Sequence, residues 1–344
     1  MSYNHNYTSL FREEAGAMSD IPHLVAAGAT FHTPRPDPLN PRAGDWLRTW
    51  DGVEPLGALD AVVVGAPLSR TSLSHSGAFL LPTAIRRVLL DFSTYSSDYG
   101  IDLAPLQVRD VGDIAMELLD AYVNHAHIES VLRDLFSIAP LVITLGGDHS
   151  ITRPALIARS KVEGAKLGVV QFDAHHDVRV LDHGPNNGTP IRGGIEAGAI
   201  AGEWVAQIGI HGFSNSAVYA QYAREQGIAI HTMGDVRRRG ILAVTEDAWA
   251  TASQAPGGVY VTVDMDVLDR AIAPGCPASS PGGMAMWEMQ ESLFWLAQRP
   301  GIVGIDFVEV DPTRDSADMT VKATCLAMLT FLAGRAARSV NSSQ

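Results

Sequence analysis

The sequence has little cysteine and no long apolar run. Two cysteines, Cys276 and Cys325, occur in 344 residues. That is too few for a disulfide framework in a chain of this size, and we expect both to be buried. No apolar stretch approaches the roughly 18 residues of a membrane-spanning helix. The N-terminus also lacks the basic and apolar regions of a secretion signal. These absences predict a soluble, cytoplasmic protein.

Positive charge is scarce as well. The chain carries 25 Lys and Arg against 38 Asp and Glu, a formal net charge of −13. Nucleic-acid-binding proteins concentrate basic side chains, so this balance argues against a nucleic-acid partner. We expect a small-molecule partner, with no nucleic acid and no membrane.

Short apolar runs alternate with amphipathic segments over most of the chain. Runs such as "AVVVGA", "LVITL", "LGVVQF" and "VYVTV" are typical of buried strands, and segments such as "HIESVLRDLFSIA" are typical of helices. Strands without polar alternation, separated by helices, predict an α/β domain whose parallel sheet is covered on both faces. Residues 1–55 are rich in Pro and Gly and predict an N-terminal arm, leaving residues 56–344 as the main domain.

Polar residues follow four of the predicted strands. Parallel strands end at a common edge of the sheet, and residues at i, i+2 and i+4 of an extended chain share one face. Two histidines and four aspartates crowded at that edge require cations to balance their charge, and carboxylate with imidazole suits Mn²⁺ or a similar ion. The sequence therefore predicts a two-metal centre at His149, Asp173, His175, Asp177, Asp264 and Asp266.

Each of these residues also has an ordinary structural interpretation when taken alone. A single Asp after a strand commonly caps a turn or a helix, and a single His is more often a core or surface group than a ligand. The agreement of four strand ends outweighs that alternative. His176 falls on the opposite face and is predicted to be structural, and Asp148 is predicted to orient His149 or to cap the next helix.

Three motifs, "GGDHS", "DAHHD" and "VDMDVLD", occur in this order. They resemble the signatures of the ureohydrolases, the family of arginase, agmatinase and formimidoylglutamase, over about residues 55–338. The resemblance implies an arginase-like three-layer α/β/α fold with a parallel sheet of about eight strands and two Mn²⁺. It implies that the metals activate a water molecule, which attacks the trigonal carbon of an amidine or guanidinium. His149 and Asp177 would bind one metal, His175 and Asp266 the other, and Asp173 and Asp264 would bridge both.

The resemblance also assigns roles at the substrate end of the site. Glu309, in "VEVDP", matches the acidic residue that holds the cationic amidine. Asn187 occupies the position of a histidine that transfers protons in arginases and agmatinases. His183, four residues earlier, is the candidate replacement, with an exposed loop histidine as the alternative.

The motifs "NGTP", "PGCPASSPGG" and "VDPTRDSADMT" resemble the formimidoylglutamase branch, which cleaves N-formimidoyl-L-glutamate to formamide and glutamate. Its two carboxylates need cationic anchors, for which Arg179 and Arg192 are candidates, with solvated surface charge as the alternative. His211 stands where that branch is expected to carry Arg. This departure leaves open a small guanidine substrate (guanidine, a guanidino acid, agmatine or a biguanide), and Ni²⁺ in place of Mn²⁺.

Assembly rests on the resemblance alone, which implies a homo-oligomer, either a trimer or a hexamer. A non-enzymatic alternative is a silent partner subunit of a hetero-oligomeric ureohydrolase. The six intact ligand positions argue against that alternative.

Overall fold

The computed structural model describes residues 37–117 and 120–341, with side chains described as far as residue 338. From Arg42 onward the described chain belongs to one compact unit. Most of the predicted arm, residues 1–36, lies outside the described residues. The division at residue 55 stays a prediction.

Nine strands of the described residues form one sheet in which every pairing is parallel. A separate antiparallel hairpin joins β3 (Tyr95–Ser96) to β4 (Ile101–Asp102). The sheet strands are β1 (Arg48–Thr49), β2 (Ala61–Ala66), β5 (Val108–Asp113), β6 (Val142–Gly146), β7 (Leu167–Phe172), β8 (Ile200–Ile210), β9 (Ala229–Thr232), β10 (Val259–Asp264) and β11 (Ile302–Val308). Their order is β1-β5-β2-β6-β11-β10-β7-β8-β9.

Helices cover both faces of this sheet. They are α1 (Ala43–Trp46), α2 (Leu81–Val88), α3 (Ala121–Ile138), α4 (Thr152–Glu163), α5 (Pro190–Glu196), α6 (Ala217–Glu225), α7 (Met233–Arg239), α8 (Ile241–Ala252), α9 (Met286–Ala297) and α10 (Met319–Asn341). Local signals set several of their ends. The Asp120 side chain caps α3 by accepting from the N–H groups of Tyr122 and Val123, and α4 ends at Gly164 in a left-handed conformation. None of the described helices is long and apolar enough to cross a membrane.

The core lies in two layers because the central strands bury both faces. Along β2, Val63 packs into one apolar cluster while Val62 and Val64 pack into the other. The first cluster holds side chains of α2, α8, α9 and α10, and the second those of α3 and α4. The predicted three-layer α/β/α fold is confirmed, and Cys276 and Cys325 are free and buried within it.

The observed sheet has nine strands where about eight were expected. The sequence patterns did not predict β1, which consists of two exposed residues. They did not predict β5 either, because the charged residues in "VRDVGD" interrupt the apolar run that is typical of a buried strand. The half-buried strand β9 was not predicted either. These strands lie toward the edges of the sheet, where burial on both faces no longer dictates an apolar run.

Four neighbouring central strands, β6, β11, β10 and β7, carry the predicted functional residues. In the sheet, β11 and β10 lie between β6 and β7, although they come much later in the chain. The carboxyl ends of all four strands meet at the middle of one sheet edge. This adjacency brings the three sequence motifs and Glu309 together.

Candidate metal centre and substrate cavity

The loop after β6 is turned sharply so that His149 points into the site. Gly147 permits this turn, because a Cβ atom there would lie 1.6 Å from the Leu68 carbonyl oxygen. The Asp148 N–H donates to the same carbonyl at 2.7 Å. The Asp148 carboxylate caps the following turn through the Ser150 N–H and accepts from the Thr71 hydroxyl at 2.7 Å. Asp148 therefore supports the loop, as predicted.

His149 faces three carboxylates from two other strand ends. Its Nδ1 atom lies 2.7 Å from Asp177 Oδ2, 3.2 Å from Asp173 Oδ2 and 3.3 Å from Asp264 Oδ2. The His149 side chain is fully buried. We refer to this inner half of the centre, His149 with Asp177 and Asp264, as the inner site.

His175 faces a second set of carboxylates nearer to solvent. Its Nδ1 atom lies 3.0 Å from Asp266 Oδ2 and 3.4 Å from Asp173 Oδ1. Its side chain is 30% exposed. We refer to His175 with Asp266 as the outer site.

Asp173 lies between the two sites. Its Oδ2 atom faces His149 and its Oδ1 atom faces His175. Ligand atoms of Asp173 lie within 4.8 Å of those of His149 and Asp264 in one group, and of His175 and Asp266 in the other. Asp264, also predicted to bridge, falls in the inner group alone.

Two buried polar atoms in the inner site test whether a cation fits there. His149 Nδ1 and Asp177 Oδ2 are completely buried and lie 2.7 Å apart, yet neither has the alignment of a hydrogen bond with the other or with any other described residue. Buried polar atoms without partners are costly, and a divalent cation accepts both an imidazole nitrogen and a carboxylate oxygen. The donor set thus fits a metal, and the paired groups around Asp173 support a binuclear centre.

The pKa values show how crowded the charge is. Burial, then neighbouring Asp173, raises the pKa of Asp177 to about 7, and burial with Asp266 raises that of Asp264 well above its usual range. Burial lowers the pKa of His149, but Asp177 and the other carboxylates outweigh it and raise the pKa well above its usual value. Without cations, protons must balance these carboxylates, and divalent ions would take over that role.

Two of the site residues adopt left-handed backbone conformations. Asp177 has φ 54° and Glu309 has φ 69°. Non-glycine residues rarely adopt such angles, and strain of this kind concentrates at functional sites. At both positions the conformation accompanies a carboxylate that points into the centre.

A cavity of about 410 Å³ opens beside the centre. This size suits a small molecule. Its lining includes five side chains of the site, His175, Asp177, Asp264, Asp266 and Glu309, together with Leu73, Ser74, His176, Arg179, Asn187, Ser214, Asn215 and Tyr219. Arg179 and Asn187, which were predicted to contact substrate, line the same cavity as these histidine and acidic side chains.

Three predicted site residues are not brought to this cavity. His183 is almost completely exposed and its ring nitrogen lies 3.8 Å from Asp182. Arg192 forms an ion pair at 2.7 Å with Glu196, one turn further along α5, and its guanidinium lies 4.5 Å from the centre of the Tyr222 ring. The ring of His211 is buried between Ser280 Oγ, 3.0 Å away, and the Val267 carbonyl oxygen, 3.2 Å away. Helix direction and local hydrogen bonding place these three groups elsewhere.

His176 has the structural role expected of it. Its ring atom Nδ1 lies 2.7 Å from Gln207 Oε1, and its backbone N–H donates to Asn215 Oδ1. The side chain touches the cavity wall, but its polar ring atom is committed to the strand below.

Sequence reasoning missed several residues of the site. Ser214 and Tyr219 line the cavity from the segment at the start of α6, and nothing in their local pattern marks them. Thr262 lies 2.8 Å from His149 Nε2 through its hydroxyl. Asp306, which accepts from that hydroxyl, did leave a signal, since an acid inside the apolar run "IVGIDFV" is unusual in a buried strand.

An α/β/α sandwich with histidines and carboxylates gathered at its central strand ends has the architecture of a two-metal hydrolase. The sequence model of the arginase family matches residues 59–334. The chain belongs to the arginase family, and its assignment as a metal-dependent hydrolase of C–N bonds is confirmed.

Relatives match nearly the whole chain. A formimidoylglutamase of Halalkalibacterium halodurans is 43% identical, covering 94% of this chain and 100% of the relative. The solved structure of formimidoylglutamase from Bacillus subtilis strain 168 superposes with a TM-score of 0.83 at 38% identity, covering 91% of this chain and 96% of the other. An agmatinase of Pyrococcus horikoshii is 32% identical over 81% of this chain and 93% of its own length.

Proposed function

We propose that this enzyme hydrolyses N-formimidoyl-L-glutamate to formamide and L-glutamate. Relatives named formimidoylglutamase, at 43% and 38% identity, support this substrate. The structural observation that carries it is the position of Arg179 on the wall of an otherwise acidic cavity. A cationic amidine end fits the acidic side chains of the lining, and an anionic glutamate end fits Arg179.

We assign the six predicted ligands to two Mn²⁺ ions. His149, Asp177 and Asp264 would hold the inner ion, His175 and Asp266 the outer ion, and Asp173 both. Carboxylate-rich donor sets with imidazole suit Mn²⁺, with Ni²⁺ as the alternative. A structure of Trypanosoma cruzi formiminoglutamase contains Mn²⁺. It superposes with a TM-score of 0.78 over 87% of this chain and 99% of that one, and at 23% identity it shows the fold alone. When bound, such a pair supplies a nucleophilic water near neutral pH.

Glu309 is held in place to bind the amidine. Its Oε1 atom accepts from the His149 N–H at 2.7 Å and from Asn187 Nδ2 at 3.1 Å. Its Oε2 atom accepts no hydrogen bond from the described residues and remains for the substrate. A carboxylate fixes a planar N–C–N group by charge-assisted hydrogen bonds, which orients the carbon under attack.

Asn187 acts on Glu309 and not as a proton carrier. Its Oδ1 atom accepts from the Leu73 N–H at 3.0 Å, so its NH₂ group is turned toward Glu309. A carboxamide does not titrate near neutral pH. We therefore assign Asn187 to positioning the amidine-binding carboxylate, and the exposed position of His183 gives no support to a proton-transfer role for that residue.

Arg179 is directed along the cavity wall by local packing. A Cβ atom on Gly188 would lie 2.5 Å from Arg179 Cδ, and the Arg179 N–H donates to the Gly188 carbonyl. The guanidinium lies 5.7 Å from the ring centre of Tyr219, which also lines the cavity. These contacts hold Arg179 beside Tyr219 on the lining of the cavity, where its guanidinium would pair with a substrate carboxylate.

The test compares Arg179→Met with Arg192→Met in Mn²⁺-loaded enzyme. Loss of a charge-assisted hydrogen bond of roughly 1.5–3 kcal/mol should lower kcat/KM for formimidoylglutamate by about one to two powers of ten in Arg179→Met. Arg192→Met is the matched control and should leave kcat/KM unchanged, since Arg192 does not line the cavity. Equal effects of the two substitutions contradict the proposed anchor.

A substrate panel tests the reaction itself. It includes formimidoylglutamate, agmatine, arginine, guanidinobutyrate, guanidine and a biguanide. Hydrolysis of a guanidine compound without hydrolysis of formimidoylglutamate would overturn the proposal. The comparisons do not favour that alternative, nor a silent partner subunit. A homo-oligomer of three or six chains and a cytoplasmic location stay predictions.

A further inference from the structure

Asp306 is a fully buried acid in the middle of β11. Its carboxylate accepts from three hydroxyl groups: Thr262 at 2.6 Å, Thr152 at 2.8 Å and Tyr260 at 3.0 Å. Burial raises the pKa of Asp306 above its ordinary value, and nearby His149 and the three hydroxyl donors offset this rise only in part. A buried carboxyl surrounded by three hydroxyl donors is arranged to be an acceptor.

Thr262 connects this acid to the inner site. It lies directly opposite Asp306 in the register of β10 and β11. Its hydroxyl is 2.6 Å from Asp306 Oδ1 on one side and 2.8 Å from His149 Nε2 on the other. All three side chains are completely buried, so bulk water does not compete for these hydrogen bonds.

The single proton of the Thr262 hydroxyl decides the direction of these bonds. An ionised carboxylate accepts and cannot donate, so the Thr262 proton points to Asp306. The Thr262 oxygen must then accept from a proton on His149 Nε2. A neutral His149 whose proton is on Nε2 carries a lone pair on Nδ1, and Nδ1 is the atom that faces Asp173, Asp177 and Asp264.

We propose that Asp306, acting through Thr262, is a positioning residue that holds His149 in the tautomer needed to bind a metal ion. This inference rests on the proposed ligand role of His149. A ligating histidine commonly donates its other ring N–H to an acceptor that fixes its orientation. Here the acceptor is a hydroxyl whose own proton is committed to a buried acid.

The experiment titrates metal-depleted full-length protein with Mn²⁺ against a competing chelator and counts bound ions by mass spectrometry. Thr262→Val removes the contacts to His149 and Asp306, and a longer one of 3.3 Å to the Thr152 hydroxyl, at nearly constant volume. Asp306→Asn places an NH₂ donor next to Thr262, so the Thr262 hydroxyl would accept from residue 306 and point its own proton toward His149. Each should weaken one of two Mn²⁺ equivalents by roughly 10- to 100-fold and leave the other nearly unchanged.

Two matched variants separate this role from simple packing. Thr262→Ser keeps the hydroxyl, and Tyr260→Phe removes another donor to Asp306 without touching His149. Both should bind Mn²⁺ within about threefold of wild type. If Asp306→Asn does not fold, the Thr262→Val and Thr262→Ser pair still decides the question.

Further outcomes would overturn the inference. If Thr262→Val folds and binds Mn²⁺ with wild-type affinity while His149→Ala has lost one ion, the inference is wrong. If His149→Ala also binds two ions normally, the ligand assignment itself fails. In the double variant Thr262→Val/Asp306→Asn, binding should be no weaker than in Thr262→Val alone. Additive losses would mean that Asp306 acts independently of Thr262.

Discussion

The inner and outer sites offer the same kinds of ligand from different depths. His149 is fully buried, and its Nε2 atom is 2.8 Å from a hydroxyl that is itself hydrogen-bonded. His175 is 30% exposed, and its ring nitrogen Nδ1 lies 3.0 Å from the Asp266 carboxylate and 3.4 Å from that of Asp173. The fold therefore fixes the orientation of His149 in the inner site, while the outer site borders the cavity in which substrate must bind.

The substitution that should break both sites at once is Asp173→Ala. Asp173 supplies one oxygen to each site, so its loss should remove at least one ion and lower kcat by about a thousandfold or more, equivalent to several kcal/mol of transition-state stabilisation. Metal counting and steady-state kinetics measure the effect. Asp182→Ala, a change of an exposed acid beyond the motif, is the control. Full activity and two bound ions in Asp173→Ala would contradict the bridging assignment.

Glu309→Gln should separate substrate binding from metal binding. The amide keeps the hydrogen-bonding shape of the side chain but loses the charge that pairs with an amidinium, so kcat/KM should fall by about two powers of ten. Both ions should remain bound, because Glu309 contacts the His149 backbone and not its ring. Loss of metal in this variant would show that Glu309 belongs to the centre itself.

Chelation should distinguish the two depths. With EDTA in excess, the outer ion should leave first, giving two kinetic phases of metal release of equal amplitude. His175→Ala should remove the fast phase, and His149→Ala the slow one. The readout is metal retained after rapid desalting at successive times. Release in one phase from the wild-type protein would mean that depth does not separate the sites.

The smallest expected effect concerns the support behind the inner site. His125 Nε2 lies 2.9 Å from Ser150 Oγ, and burial, then Arg153, lowers the pKa of His125 from 6.5 to about 4. The folded state thus favours neutral His125, and the stability that this provides above pH 6.5 is lost as pH falls toward 4. Between pH 7 and 5 the loss should be about 2 kcal/mol of unfolding free energy.

Urea unfolding of metal-free protein at the two pH values tests this prediction. His125→Gln should flatten the pH dependence by that amount, because glutamine does not titrate. An unchanged slope in His125→Gln would show that His125 does not carry the effect.

The sequence alone predicts the fold class and the set of metal-ligand residues. Buried strands covered on both faces have recognisable apolar runs, and alternate residues after such runs must share a face. Those two local rules were enough to nominate His149, Asp173 and Asp266 together. They were weaker at the sheet edges, where β1, β5 and β9 carry polar residues and lose the pattern.

What only the tertiary structure decided is which distant side chains meet. Strand order is set by how helices cross and pack, and no local periodicity reveals that β10 and β11 align Thr262 with Asp306. The two arginines carried equal weight in the sequence, yet packing against Gly188 turns Arg179 along the cavity while Glu196 draws Arg192 away from it. Chain-local chemistry determined the ligand types of this centre. Long-range packing determined the neighbours that orient those ligands, because the orientation of a side chain depends on contacts between residues far apart in sequence.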